Sequence, residues 1–267
     1  VPTILITGST DGLGRYLAGR LVSEGAHVIL HGRNAEKLRR VRGELGEDAT
    51  DVVVADLADL RQVDAMATEV AERFDRVDTL VNNAGIGAGA DQGVRQESAD
   101  GIELRFAVNY LAGYHLIRRL VPLLTASAPA NVVNVASVGQ RAVDFADPML
   151  TRRYDGFDAY MQSKLAQIMF TFDLAEELRD RDVTVNALHP ATFMDTAMVR
   201  EGRISPASTI EEGGEPTLRL VHNAERVTGR YFDQFTESRA NAQAYDLKAR
   251  RRLRELSDEL VEKALRA

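Results

Sequence analysis

Val1 to Ile6 is an apolar run that passes directly into Thr7-Gly8-Ser9-Thr10-Asp11-Gly12-Leu13-Gly14, and this junction leaves the chain few folds to choose from. The run reads as a short strand. Leu13, Leu17 and Leu21 then recur at helical spacing, Gly25 is placed to stop that helix, and Val28 to Leu30 reads as the next strand. Strand, glycine-rich turn, helix and strand in this order form the opening unit of a dinucleotide-binding α/β fold. Gly8 permits the sharp turn, Gly12 lets the backbone approach a pyrophosphate, and Gly14 lets the helix start close to the strand. The exposed N–H groups and the positive end of the helix would attract the phosphates, with the Ser9 and Thr10 hydroxyls as further donors. Such a turn can also be no more than a turn, so the rest of the chain must decide.

In all, strands are expected near 3–7, 27–31, 51–55, 78–82, 130–136, 182–188 and 229–232, with helical patterns between them. This alternation predicts one doubly wound Rossmann-type domain over 1–267, with a mainly parallel seven-stranded sheet and helices on both faces. Loop insertions facing a substrate are expected near 138–159 and 191–215. In such a sheet ligands bind beyond the carboxyl ends of the strands. The polar motifs collect at that edge: Asp56-Leu57 after the third strand, Asn82-Asn83-Ala84-Gly85 after the fourth, Ser137 after the fifth and His189-Pro190 after the sixth.

Tyr160 and Lys164 stand four residues apart on a predicted helix and therefore share a face. A free phenol titrates at roughly 10, and a cation beside it would lower that value toward the range where it can shuttle protons. By itself the spacing is common in helices.

With both motifs in place the chain resembles the short-chain dehydrogenase/reductase family over nearly its whole length. The ordered set carries the resemblance: the 7–14 loop, Asp56-Leu57, Asn82 to Gly85, Asn109 in a long helix near 101–125, Ser137, Tyr160 and Lys164. It implies that Tyr160 is the general acid/base and that Ser137 donates to the substrate oxygen. Lys164 would depress the Tyr160 pKa and bond the nicotinamide ribose, while Asn109 would hold a water linking Lys164 to solvent. Asp56 would bond the adenine amino group, and the turn of Asn82, Asn83, Ala84 and Gly85 would support the adenine pocket and central sheet.

The segment Gln140 to Phe157 is longer than in compact relatives, and with Thr228-Gly229-Arg230-Tyr231-Phe232 it is similar to the retinol-dehydrogenase-like and carbonyl-reductase-like branch. That branch favours hydrophobic alcohols and carbonyls, although the segment can equally be a surface loop without substrate contacts. After the sixth strand the family has Pro-Gly and a threonine touching the nicotinamide amide. Here Pro190 is followed by Ala191, and both Thr192 and Thr196 are candidates for the threonine. Phe193, Met194, Met198 and Val199 offer apolar surface there, either to substrate or to the core.

Charge at the end of the second strand bears on the cofactor. An acid there would bond the ribose of NAD and repel a 2′-phosphate, but this chain has Gly32 followed by Arg33. NADP(H) is therefore the expected cofactor, with NAD(H) possible. Arg15 could add to the attraction, and Asp11 opposes it.

The 267 residues suit one α/β domain, and a net charge of −7 speaks against a nucleic-acid partner. No apolar run reaches the length of a membrane span and no leader-like segment is visible, so a soluble cytoplasmic enzyme is expected. The chain has no cysteine, and its five histidines have no zinc-binding spacing, so neither thiolate nor metal chemistry is expected. In the tail from Asp246, Leu253, Leu256 and Leu260 lie at helical spacing beside Arg250 to Arg254. They would pack on the domain or on a neighbouring subunit, or else meet a membrane surface or acidic partner. The family resemblance implies a homodimer or homotetramer.

The reading is an NADP(H)-dependent oxidoreductase that moves hydride between nicotinamide and a hydrophobic carbonyl or secondary alcohol, with reduction as the expected direction. The alternative is a non-catalytic dinucleotide-sensing or scaffold protein on the same fold. Epimerases and dehydratases of the family carry a different glycine spacing.

Overall fold

The computed structural model describes residues 1–266. Eight strands form one sheet in the order β3-β2-β1-β4-β5-β6-β7-β8. They are β1 (Thr3–Ile6), β2 (His27–Gly32), β3 (Thr50–Val54), β4 (Thr79–Asn82), β5 (Ala130–Val135), β6 (Val183–His189), β7 (Tyr231–Asp233) and β8 (Thr236–Glu237). All pairings are parallel except β7 with β8. The expected seven strands are thus eight. The added one is two exposed residues paired antiparallel through the Gln234-Phe235 turn, too short to leave a periodic pattern.

Strand order reverses between β1 and β4, which opens a crevice at the carboxyl edge of the sheet. The strands read as continuous apolar runs because both of their faces are covered. One face is covered by α1 (Gly12–Ser23), α2 (Ala35–Leu45) and α7 (Ile210–His222), through Leu17, Leu21, Leu38, Val41 and Leu218. The other carries α3 (Leu60–Arg73), α4 (Ala112–Ala126), α5 (Gly156–Glu177) and α8 (Leu247–Arg266), through Val63, Leu116, Leu120, Ile168 and Leu253. A short helix, α6 (Ala197–Glu201), lies in the segment after β6.

The long helix expected near 101–125 is interrupted. Phe106–Leu111 forms a π-helical turn that runs into α4, so Asn109 sits in a widened turn. The tail packs on its own chain: Leu253 is buried, Leu256 and Leu260 lie against the same core, and Tyr110 Oη is 2.7 Å from Ser257 Oγ. Arg250, from the basic cluster, is buried and donates to Glu176 at 2.8 Å. No helix among the described residues is long and apolar enough to cross a membrane.

Candidate active site

Four strand ends and the start of two helices meet at the crevice. The turn after β1 is held by its own side chains. Thr7 Oγ1 accepts the N–H groups of Asn83 and Ala84 at 3.0 Å each, and Asn83 Nδ2 donates to the carbonyls of Thr7 and Gly8. These bonds fasten the glycine turn to the end of β4. A Cβ on Gly14 would lie 2.2 Å from Gly8 O, so only glycine allows α1 to start this close to the strand.

Gly12 has φ +52°, and a Cβ there would meet Thr196 at 3.1 Å. It therefore faces the loop that covers the crevice rather than the sheet, and a cradle bare of side chains at a helix N-terminus fits a pyrophosphate. One expectation for this turn changes. Ser9 is fully buried and its hydroxyl is engaged with the His31 backbone, accepting from N at 2.9 Å and donating to O at 3.2 Å, so it is no phosphate donor. Asp11 caps α1 by accepting from Gly12 N at 2.7 Å, which places a carboxylate beside the cradle.

Leu13 and Leu57 point into the core, so only their backbone can serve a cofactor. Asp56 is half-buried after β3 and accepts from Ala58 N at 2.9 Å with one oxygen. At the end of β2, Arg33 is exposed and makes no ion pair among the described residues, whereas Arg15 is paired with Glu44 at 3.1 Å. Of these two cations, Arg33 is the one without an ion-pair partner among the described residues. A Cβ on Gly32 would lie 2.9 Å from Thr10 Cγ2, which puts Thr10 beside Arg33 at the same strand end.

The polar groups expected to do the chemistry converge. Ser137 follows β5, and Tyr160 and Lys164 stand one turn apart near the start of α5, which Asp155 caps by accepting from Phe157 N and Asp158 N. Burial pushes the Tyr160 phenol above its ordinary range, and a hydrogen bond with Ser137 pulls it partly back. Lys164 does not depress it as the sequence suggested. Its Nζ donates to Val135 O at 2.8 Å and stands 5.9 Å from the Tyr160 ring centre, and burial brings its own pKa down to about 8. Desolvation is the largest influence on both groups.

Asn109 sits opposite. Its Oδ1 accepts from Ile86 N at 2.7 Å, and its Nδ2 donates to Ile86 O and to Ser163 Oγ at 3.0 Å each. Ser163 in turn donates to Tyr160 O at 2.7 Å. A Cβ on Gly85 would lie 3.2 Å from Asn109 Oδ1 and 3.6 Å from Lys164 Nζ, so that glycine marks where the three elements meet. Ser163 escaped the sequence reading although it stands next to Lys164. Tyr231 escaped it as well: Tyr231 Oη and Gln140 Nε2 both donate to Ser137 O, at 3.1 and 2.9 Å.

The loop after β6 separates its two threonines. Thr192 is exposed and bonded to His189 Nε2 at 3.1 Å beside Pro190, while Thr196 lies over Gly12. Met198 lies over the 86–88 segment, within 3.1 Å of a Cβ built on Gly87. The long segment 140–155 is tied down rather than free. Val143 is bonded to Gln243, Asp144 N donates to Gln162 at 3.0 Å, and Tyr154 Oη bridges the buried pair Arg105 and Glu103 at 3.0 Å to each. No cluster of metal-ligating side chains occurs among the described residues.

The short chain dehydrogenase family matches residues 2–206. Mouse retinol dehydrogenase 13 is 33% identical over 97% of this chain and 83% of its own length, and mouse retinol dehydrogenase 14 is 33% identical over 97% and 85%. Among solved structures, an uncharacterised Mycobacterium paratuberculosis protein superposes with a TM-score of 0.80 at 26% identity, covering 98% of this chain and 93% of that one. A Brucella melitensis 3-ketoacyl-(acyl-carrier-protein) reductase complexed with NADH gives 0.68 at 27% identity over 87% and 96%. An Escherichia coli short chain dehydrogenase complexed with NADPH gives 0.71 at 28% identity over 87% and 96%. The chain belongs to the short-chain dehydrogenase/reductase family, in its retinol-dehydrogenase-like branch.

Proposed function

We propose that this chain is an NADP(H)-dependent oxidoreductase that interconverts a hydrophobic carbonyl compound and its alcohol, with Tyr160 as general acid/base. Nicotinamide, when bound, supplies or takes up hydride. The observation that carries the reading is the meeting of Ser137, Tyr160, Lys164 and Asn109 beside the bare Gly12 cradle. To the cofactor we assign Thr7, Gly8, Thr10, Gly12, Gly14, Asp56, Asn83 to Gly85, Pro190, Thr192 and Lys164, with Arg33 for the 2′-phosphate.

A phenol raised by burial keeps its proton at neutral pH, which suits it to protonate an oxygen that is gaining negative charge. Ser137 steadies that oxygen by donating to it. Lys164, with a pKa near 8, holds a positive charge beneath the ring at neutral pH, and Asn109 and Ser163 fix the helix turn that carries Tyr160. Val138, next to Ser137, is 47% exposed and Phe193, on the covering loop, is 44% exposed, which supports an apolar substrate. Reduction is the proposed direction.

Tyr160→Phe tests the chemistry. Turnover of a ketone and aldehyde panel should fall by at least about a hundredfold while NADPH binding is kept. Undiminished turnover refutes the assignment, and turnover absent in the parent chain as well favours the non-catalytic alternative. Arg33→Asp should reverse the ratio of kcat/KM for NADPH over NADH, and an unchanged ratio removes the NADP preference.

A further inference from the structure

His31 is buried to 2% exposure in β2 and does nothing in the chemistry above. Both ring nitrogens are nevertheless used. Gly8 N donates to Nδ1 at 3.1 Å, and Nε2 lies 3.1 Å from Ala55 O. A nitrogen that accepts carries no hydrogen, so Nδ1 is bare and Nε2–H donates to Ala55. The His31 backbone also pairs with Ser9, whose N donates to His31 O at 2.9 Å. One residue thus grips the phosphate turn at Gly8 and Ser9, reaches across to the carbonyl that precedes Asp56, and stands next but one to Arg33 in sequence.

We infer that His31 is a positioning residue for the adenosine half of the dinucleotide: its neutral imidazole sets the distance between the phosphate-binding turn and the β3 end that carries Asp56. This rests on the dinucleotide reading above. An apolar side chain of equal volume would fill the site but leave the partly buried Gly8 N–H and the buried Ala55 C=O without these partners, and the turn would shift to find others. Burial keeps the ring neutral, with its pKa brought down to about 4, and Asp56 is the charged group that acts on it.

The test uses full-length chains carrying His31→Leu, His31→Asn or His31→Gln, with melting curves recorded to establish folding. Asn keeps an acceptor near the Nδ1 position and Gln reaches the Nε2 position. Dissociation constants are measured by calorimetry for NADPH, NADH, 5′-ADP and 2′,5′-ADP. Leu should weaken 5′-ADP and 2′,5′-ADP by about tenfold, the worth of one lost buried hydrogen bond, with kcat at saturating cofactor held within about twofold. Asn should recover more of that affinity than Gln, because it keeps the bond to the turn itself. Unchanged ADP affinity in a folded Leu variant overturns the inference, as does a fall in kcat without loss of affinity. Should Leu not fold, wild-type affinity in both Asn and Gln variants overturns it. Failure of the unsubstituted chain to bind NADPH, NADH and both ADP fragments refutes the dinucleotide reading instead.

Discussion

Tyr160 is half-buried and Lys164 buried, and desolvation by their surroundings is the largest influence on the ionisation of both. The lysine amine is charged at neutral pH in a place that resists charge, so the folded state carries a cost there. Its folded pKa, about 8, lies below the unfolded 10.5, so that cost is present below pH 8 and disappears as pH rises from 8 to 10.5. Lys164→Met should therefore raise the melting temperature at pH 7 by about 2 °C or more and lower turnover by on the order of a hundredfold. The gain in melting temperature should shrink toward pH 10, and a variant melting lower than the parent at pH 7 would contradict this. Residue identities at the site were legible because chemistry restricts them. Their electrostatics were not: a spacing of four says that two side chains share a face, and says nothing of the Val135 carbonyl that takes the amine.

Element by element, the long segment 140–155 is stapled from three sides. Tyr154 contributes the most specific staple, since its hydroxyl stands between Arg105 and Glu103, both nearly fully buried. Tyr154→Phe leaves those two charges short of a partner and should cost about 1–2 kcal/mol in urea unfolding. It should raise the KM for the carbonyl substrate while leaving the Kd of NADPH unchanged, and an equal change in both would mean that the segment serves the whole crevice. On α8, Leu253→Ala removes a buried side chain under Tyr110 and Tyr114 and should cost about 3 kcal/mol. Wild-type stability would place that helix outside the core. Strands β1 to β6 were readable from their apolar runs, whereas β8 was too short to carry any pattern. The π-helical turn hides because nothing in Phe106 to Leu111 distinguishes a wide turn from a regular one.

At the scale of the whole molecule, the sheet order brings residues distant in sequence to one edge, and buried histidines tie its stability to pH. His31, His115 and His189 all have pKa values lowered by burial. For His31 the folded value is about 4 against 6.5 unfolded, so its contribution is fully present above pH 6.5 and is lost as pH falls toward 4. The loss should reach on the order of 3 kcal/mol, and His31→Asn should flatten that part of the stability profile measured by denaturant unfolding. Profiles that superpose would place the titration elsewhere. The topology could be inferred from the order of motifs, since each known turn follows its own strand, while side-chain bridges such as His31 to Gly8 depend on packing that no local pattern encodes. The wide turn at Phe106 to Leu111 amounts to one surplus residue lodged in a helix. Excising Val108 would let the coil close regularly with the residues on either side still in phase, leaving Arg105 on the Gly87 and Ala88 carbonyls it now holds. A lone deletion at this turn would thereby leave that wall of the cleft hitched, whereas the same deletion within the regular turns of α4 would rotate its neighbours by about 100°.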